Sequence, residues 1–279
     1  MSVDPGMPAL PTHCAALGLT LEVRLARETL APVPESAWIA GEWMERPTRV
    51  AVLPLGSGRH RLALDRYGDY TVDARAGWVA IHQQPEAGIP LTEVLEGPVL
   101  LHALAHYGIH ALHASAFQRP DGCVCAFTAD SGTGKSSLAA RALQHGWTRV
   151  ADDLLALSIR HGMLVAHPAL WQPKLPAAEQ PGAHLAQTLP LSALYQLKRV
   201  AGPARQRPLD RTAALRLLLQ STVASRVYTP ACLAAHLRFA AQAAEYVHHG
   251  ALRAAVLELP DRPADVAAAL DEALALLQG

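Results

Sequence analysis

The chain has 279 residues, 51% of them apolar, with 24 basic and 24 acidic side chains and no formal net charge. That length and apolar content suit one large folded domain, or a domain with a smaller lobe, and exclude a disordered chain. The charge balance leaves no basic surplus for nucleic acid or an anionic membrane. With no basic-then-apolar leader and no apolar run long enough to cross a bilayer, a cytoplasmic protein is expected.

Residues 1–95 read as a small β-rich lobe. Short β-prone runs at 19–26, 48–55, 59–65, 69–74 and 77–83 are separated by Gly, Pro and Asp, and their close spacing predicts antiparallel hairpins. The lobe shows no chemistry of its own at this level. A helix is expected over about 93–107, then a strand at 110–117, a turn "RPDG", and a strand "CVCAFT" at 123–128. After the loop "ADSGTG" comes a helix from 135 to 145, stopped by Gly146. The run "WTRVADDLLALSI" reads as a strand that meets two aspartates and continues. Residues 168–190 are Pro-rich and promise little regular structure. A strand at 193–200, a Pro/Arg loop, a helix at 210–224, a helix opened by Thr229 and Pro230, a strand at 253–259 and a terminal helix at 263–277 complete 96–279 as a second domain. There is no internal repeat.

The four cysteines, Cys14, Cys123, Cys125 and Cys232, have no zinc-type spacing and read as reduced thiols, most of them buried. His102, His106 and His110 fall at i, i+4 and i+8, but Gly108 should end their helix before the third and no Glu adjoins the first, so they are read as ordinary helix histidines rather than zinc ligands. His248 and His249 fit a helix C-terminus, where the dipole favours them.

The chemistry concentrates in "AFTADSGTGKSSLAARAL". A loop between a strand and a helix can bind a nucleotide's phosphates by aiming backbone N–H groups and a helix N-terminus at them. Gly132 and Gly134 allow the backbone this needs, and the stretch Asp130, Ser131, Gly132, Thr133, Gly134, Lys135, Ser136 and Ser137 is the expected nucleotide-binding segment. Lys135 would reach the β- and γ-phosphates, and Ser136 would give its hydroxyl to Mg²⁺. Lys occurs at only two other positions, 174 and 198, which makes its presence here more telling. Ala129 stands where the G-x4-G-K-[ST] pattern has its first glycine; a methyl is harmless there if φ is negative and strained if φ is positive. Asp152 and Asp153 follow at a strand end that should lie beside the loop. They could supply a carboxylate for Mg²⁺ and one to take an acceptor's proton. His113, on the neighbouring strand, could orient a carboxylate.

The ordered set "HASAF…FTADSGTGKSSLAARALQHGWTRVADDLLAL" resembles the catalytic domain of HPr kinase/phosphorylase, over about residues 108–175. It is most similar to the HPr kinase-like proteins found beside lasso-peptide and other peptide-maturation genes, which carry a variable β-rich N-terminal part. The resemblance implies an α/β P-loop kinase domain of the HPr kinase/phosphoenolpyruvate carboxykinase type, with a mixed sheet, beside the small β-rich lobe. It also implies ATP and Mg²⁺ as cofactors, with Lys135 and Ser136 on phosphate and metal. Asp152 and Asp153 would divide base and metal duties, Asp153 being the metal-side candidate with Ser136, and His113 would assist the base. The expected reaction moves the γ-phosphoryl group to a hydroxyl, foremost a C-terminal serine of a ribosomal precursor peptide. A kinase of a free serine-like metabolite and a non-catalytic nucleotide-binding regulator are the alternatives, and a homo-oligomer remains open. The HPr enzymes carry E-[IV]-R-G-[LI]-G downstream of the doublet; the corresponding "AHPALWQPKLPAAEQPG" lacks it, which argues against HPr as acceptor and against phosphorolysis. Lys174 is the candidate replacement cation. Arg199, Arg205, Arg207 and Arg211 are candidates for an in-chain arginine finger, against the alternative of a solvated basic loop.

Overall fold

The computed structural model describes residues 13–43, 46–130, 132–168, 170, 172, 175–176, 179–180, 188–261 and 265–277. Two compact units emerge: one runs through Tyr107 and takes in Ala224–Cys232, the other comprises Gly108–Val223 and Leu233–Gly279.

The first unit is built on a sheet of β1 (His13–Ala16), β2 (Leu19–Leu25), β3 (Ile39–Trp43), β4 (Arg46–Gly56), β5 (Arg59–Leu64), β6 (Gly68–Asp73) and β7 (Trp78–Gln83), in the order β1-β2-β7-β6-β5-β4-β3. The expected hairpins are present from β4 to β7, all antiparallel, and β3 adds a further antiparallel pairing to β4. β2 instead pairs with β7 in parallel, because the chain reaches β7 only after the long excursion through the other strands. Leu62, Leu64, Tyr70, Val72, Val79 and Ile81 are buried, and the Tyr70 hydroxyl donates to the Tyr67 carbonyl at 2.7 Å, so its polar tip is satisfied.

The helix expected over 93–107 is broken. It forms as α1 (Leu91–Val94), a π-helical turn at Leu95–Val99, and α2 (Leu100–Ala105). Gly97 leaves the helical region (φ −94°, ψ −112°), and Pro98 lacks the N–H that would continue the ladder. Gly108, at φ 69°, lies just past the end of this helix, a position that favours glycine.

The second unit holds a nine-stranded mixed sheet of β8 (His110–His113), β9 (Ser115–Gln118), β10 (Val124–Thr128), β11 (Thr148–Ala151), β12 (Leu154–Arg160), β13 (Met163–His167), β14 (Leu189–Val200), β15 (Arg205–Pro208) and β16 (Arg253–Pro260). β10, β14 and β16 run parallel at its centre, and the remaining pairings are antiparallel. Its helices are α3 (Lys135–Gln144), α4 (Arg211–Gln220), α5 (Pro230–His248), which begins in the first unit, and α6 (Val266–Ala275). Asp210 and Asp265 cap α4 and α6 by accepting from Ala213 N and Ala268 N, and the Thr229 hydroxyl accepts from Cys232 N in the first turn of α5.

The period-two alternation of a strand divides the core in two. Cys125 and Phe127 of β10 pack with Leu138 and Ala142 of α3 and Leu270 and Leu274 of α6. Val124 and Ala126 point into the other cluster, with Leu217 and Leu218 of α4 and Phe239 and Ala243 of α5. The result is a three-layer α/β/α unit with β10 in the middle layer, and the loop after β10 opens at the carboxyl end of a central parallel strand. Cys123, Cys125 and Cys232 are free thiols, and burial pushes the Cys125 thiol up to about 11. Among the described residues no helix is long and apolar enough to cross a membrane.

Candidate functional site

The loop after β10 turns sharply because Gly132 and Gly134 sit in the left-handed region, at φ 78° and 106°. Ala129 is not among the residues with positive φ, so its methyl carries no conformational penalty. Both the amide and the hydroxyl of Thr133 donate to the Asp130 carbonyl, at 3.2 and 2.8 Å. Gly134 is the N-cap of α3 and has no side chain to satisfy the helix's first N–H groups, which suits that end of the helix to an anion. Ser136 and Ser137 are exposed there, as is Asp130; Ser131 and Lys174 lie outside the described residues.

Arg199, one of the four arginines singled out, stays at the loop. Its Nε donates to the Thr133 carbonyl at 2.8 Å and Nη1 to the Pro260 carbonyl at 2.7 Å. A Cβ on Gly134 would run into this guanidinium. Gly134→Ala is therefore expected to combine backbone strain with a clash, costing on the order of 1–3 kcal/mol and displacing the loop, which thermal melts and nucleotide titrations would register together. The other three arginines are engaged elsewhere. Arg205 and Arg207 donate to the buried Glu258, Arg207 at 2.6 Å, and their hydrogen bonds hold that carboxyl below its usual range. Arg211 pairs with Glu245 at 2.6 Å.

The aspartate doublet occupies a break in the sheet. β11 pairs with β9 up to Ala151, and β12 pairs with β8 from Leu154. Asp152 and Asp153 span the step between these two pairings, opposite Ala114, where β8 gives way to β9. The Ala114 amide donates to the Asp153 carbonyl at 3.2 Å, and the Ser115 hydroxyl donates to the Asp152 carbonyl. Three amides that have left the ladder, those of Asp152, Asp153 and Leu154, all donate to Oε1 of Gln172 at 3.0 Å. Gln172 Nε2 in turn donates to the Leu154 and Leu170 carbonyls at 2.9 Å, and Gln180 braces the Gln172 backbone from both sides. Gln172 is buried and fixes the backbone that presents the doublet.

With the backbone so held, Asp153 Oδ1 lies 3.9 Å from Lys135 Nζ and 3.5 Å from His113 Nε2. Asp153 and Lys135 are largely buried, whereas His113 is about half exposed at 47%. His113, Lys135 and Asp153, separated in sequence, thus converge on one point beside the start of α3. Asp152 is half-buried, and among the described residues its carboxylate makes no ion pair with this group. A buried carboxylate facing an ammonium and an imidazole at a glycine-rich helix start is a donor set suited to a phosphate and a divalent cation together.

Gln172 carried no signal in the sequence, being one of three glutamines in a Pro-rich stretch. No protein-family model and no curated protein sequence matches the chain. Among solved structures, the Hpr(Ser) kinase/phosphatase from Coxiella burnetii is similar at a TM-score of 0.32 and 11% identity, over 60% of this chain and 88% of that one; the likeness is distant.

Proposed function

We propose that the chain is an ATP- and Mg²⁺-dependent kinase that transfers the γ-phosphoryl group to a hydroxyl, with a C-terminal serine of a ribosomally made precursor peptide as the acceptor. The observation that carries this reading is the approach of Asp153 to both Lys135 and His113 beside the glycine-rich start of α3. The peptide acceptor rests on the resemblance described from the sequence.

In this reading the first-turn N–H groups of α3 and the Lys135 ammonium receive the phosphate oxygens, and Ser136 and Asp153 are the residues that would hold the metal. Magnesium, when bound, neutralises charge on the phosphates. One carboxylate of the doublet accepts the hydroxyl proton as the acceptor oxygen forms its bond to phosphorus and the bond to the leaving diphosphate breaks. His113 orients the carboxylate it faces. Little covalent work falls to the protein, so catalysis rests on positioning and charge, which is what the Gln172 brace and the Arg199 anchor provide.

The test is incubation of the full chain with γ-labelled ATP and Mg²⁺ against peptides ending in serine, free serine and HPr. Label on the serine peptide, lost when the terminal serine is replaced by alanine, is the expected result. Label on free serine alone would make the protein a metabolite kinase. Nucleotide binding without transfer to any acceptor would make it a regulator.

A further inference from the structure

A second cluster of chemistry lies in the β-rich unit, remote in sequence from the loop. His60 on β5 meets His102 and His106, the latter at the C-terminal end of α2, and the three offer ligand nitrogens within 4.8 Å of one another. The spacing i, i+4 places His102 and His106 on one helix face, and the third member comes from a strand 42 residues earlier in the chain than His102 rather than from His110. The ring centroids lie 5.0 to 5.4 Å apart, with His60 and His106 stacked and His102 edge-on to both.

His102 shows what the cluster lacks. It is fully buried, and its Nδ1 lies 2.6 Å from the Val227 carbonyl. A carbonyl can only accept, so Nδ1 carries the proton and Nε2 keeps a bare lone pair. That Nε2 is buried with no hydrogen-bond partner among the described residues. A buried acceptor left so costs free energy, which a Lewis acid would recover. The backbone carbonyl on Nδ1 is also the outer contact that fixes tautomer and ring orientation in histidine metal sites.

We propose that His60, His102 and His106 form a three-histidine site for a zinc-type divalent ion, with the fourth coordination position open to water on the exposed His106 side. Imidazole nitrogens suit this class of metal, and three protein ligands with one open position are a common arrangement for it. Closing from 4.8 Å to the roughly 3.3 Å between ligands of a tetrahedral site with bonds of about 2.0–2.1 Å takes side-chain rotation at His60 and His106, neither of which is fully buried. Arg75 weighs against a cation near His106, and Asp73 offsets it with a negative charge near His60. A bound ion would staple β5 to α2.

The experiment titrates the full chain, stripped of metal by chelator, with Zn²⁺ and with Co²⁺. The readouts are calorimetry, the visible absorption of tetrahedral Co²⁺ and the thermal midpoint. One equivalent is expected to bind, with intense Co²⁺ absorption and a raised midpoint. His60→Gln should weaken binding at least about tenfold, the loss caused by even an outer-shell change, and abolish both the absorption and the shift. His248→Gln/His249→Gln, at the exposed end of α5, should behave as wild type. Circular dichroism of His60→Gln without metal establishes that the variant folds; should it not, His106→Gln, at an exposed position, takes its place. Absence of tetrahedral Co²⁺ absorption in the wild type, or zinc affinity in the folded variant equal to wild type, overturns the site and leaves three packed neutral imidazoles.

Discussion

Replacing Asp153 by asparagine is expected to lower phosphoryl transfer about a thousandfold, within the range that a positioned acid–base group contributes. The amide keeps the shape of the carboxylate but cannot take up a proton, and it offers a divalent cation only a neutral carbonyl oxygen in place of a charged one. It also removes the negative charge that faces Lys135 at 3.9 Å and His113 at 3.5 Å. Nucleotide affinity without metal should hardly change, because the first-turn N–H groups of α3 and Lys135 remain in place. Asp152→Asn, whose carboxylate stands outside that ion-paired group, separates the two roles. If Asp153→Asn raises the Mg²⁺ concentration needed for half-maximal turnover and Asp152→Asn lowers turnover at saturating Mg²⁺, the first holds metal and the second takes the proton. Wild-type turnover in Asp153→Asn would remove this residue from the reaction altogether.

Much of the framework was legible in the sequence because local chemistry decides it. The runs at 59–65 and 69–74 became β5 and β6, short β-prone segments whose last four residues are buried in each case, on both faces of the sheet. The loop and α3 were legible because glycines, lysine and hydroxyls at fixed spacing specify a backbone. β1, β3 and β15 were not foreseen. β15, "RQRP", has no apolar residue, and its place beside β16 goes with the charge of Glu258 on that strand, which meets Arg205 and Arg207. The π-helical turn at Leu95–Val99 was hidden inside a helical pattern, although Gly97-Pro98 was the local sign of it. The histidine cluster shows the same limit. The i, i+4 pair could be read, but its third member could not, because only the packing of α2 against the sheet brings His60 to it.

Gln172 is the part of the site that no pattern announced, and its removal should have the second large effect. Its Oε1 is the common acceptor of three amides at 3.0 Å, two of them buried and that of Asp152 partly so. Gln172→Met keeps the length and bulk but offers those amides only a weak acceptor, and the Leu154 and Leu170 carbonyls lose a donor as well. An unsatisfied buried group costs about 1–3 kcal/mol, and such costs are not additive where one segment can relax for all of them, so a loss of about 3 kcal/mol is expected. For a unit of this size that lowers the thermal midpoint by on the order of 10 °C. The more telling readout is kinetic and taken well below the melt. Relaxation of the 152–154 backbone moves Asp153, and a displacement of about 1 Å can cost roughly a hundredfold in rate, so kcat should fall while the KM for nucleotide, set by the loop and α3, stays near wild type. Gln172→Asn, one methylene shorter, cannot reach all three amides from the same backbone position and should resemble Gln172→Met. If either variant turned over normally at a lowered midpoint, Gln172 would support the fold without positioning the doublet. A wild-type melt together with wild-type turnover would mean that the amides at 152–154 find other partners.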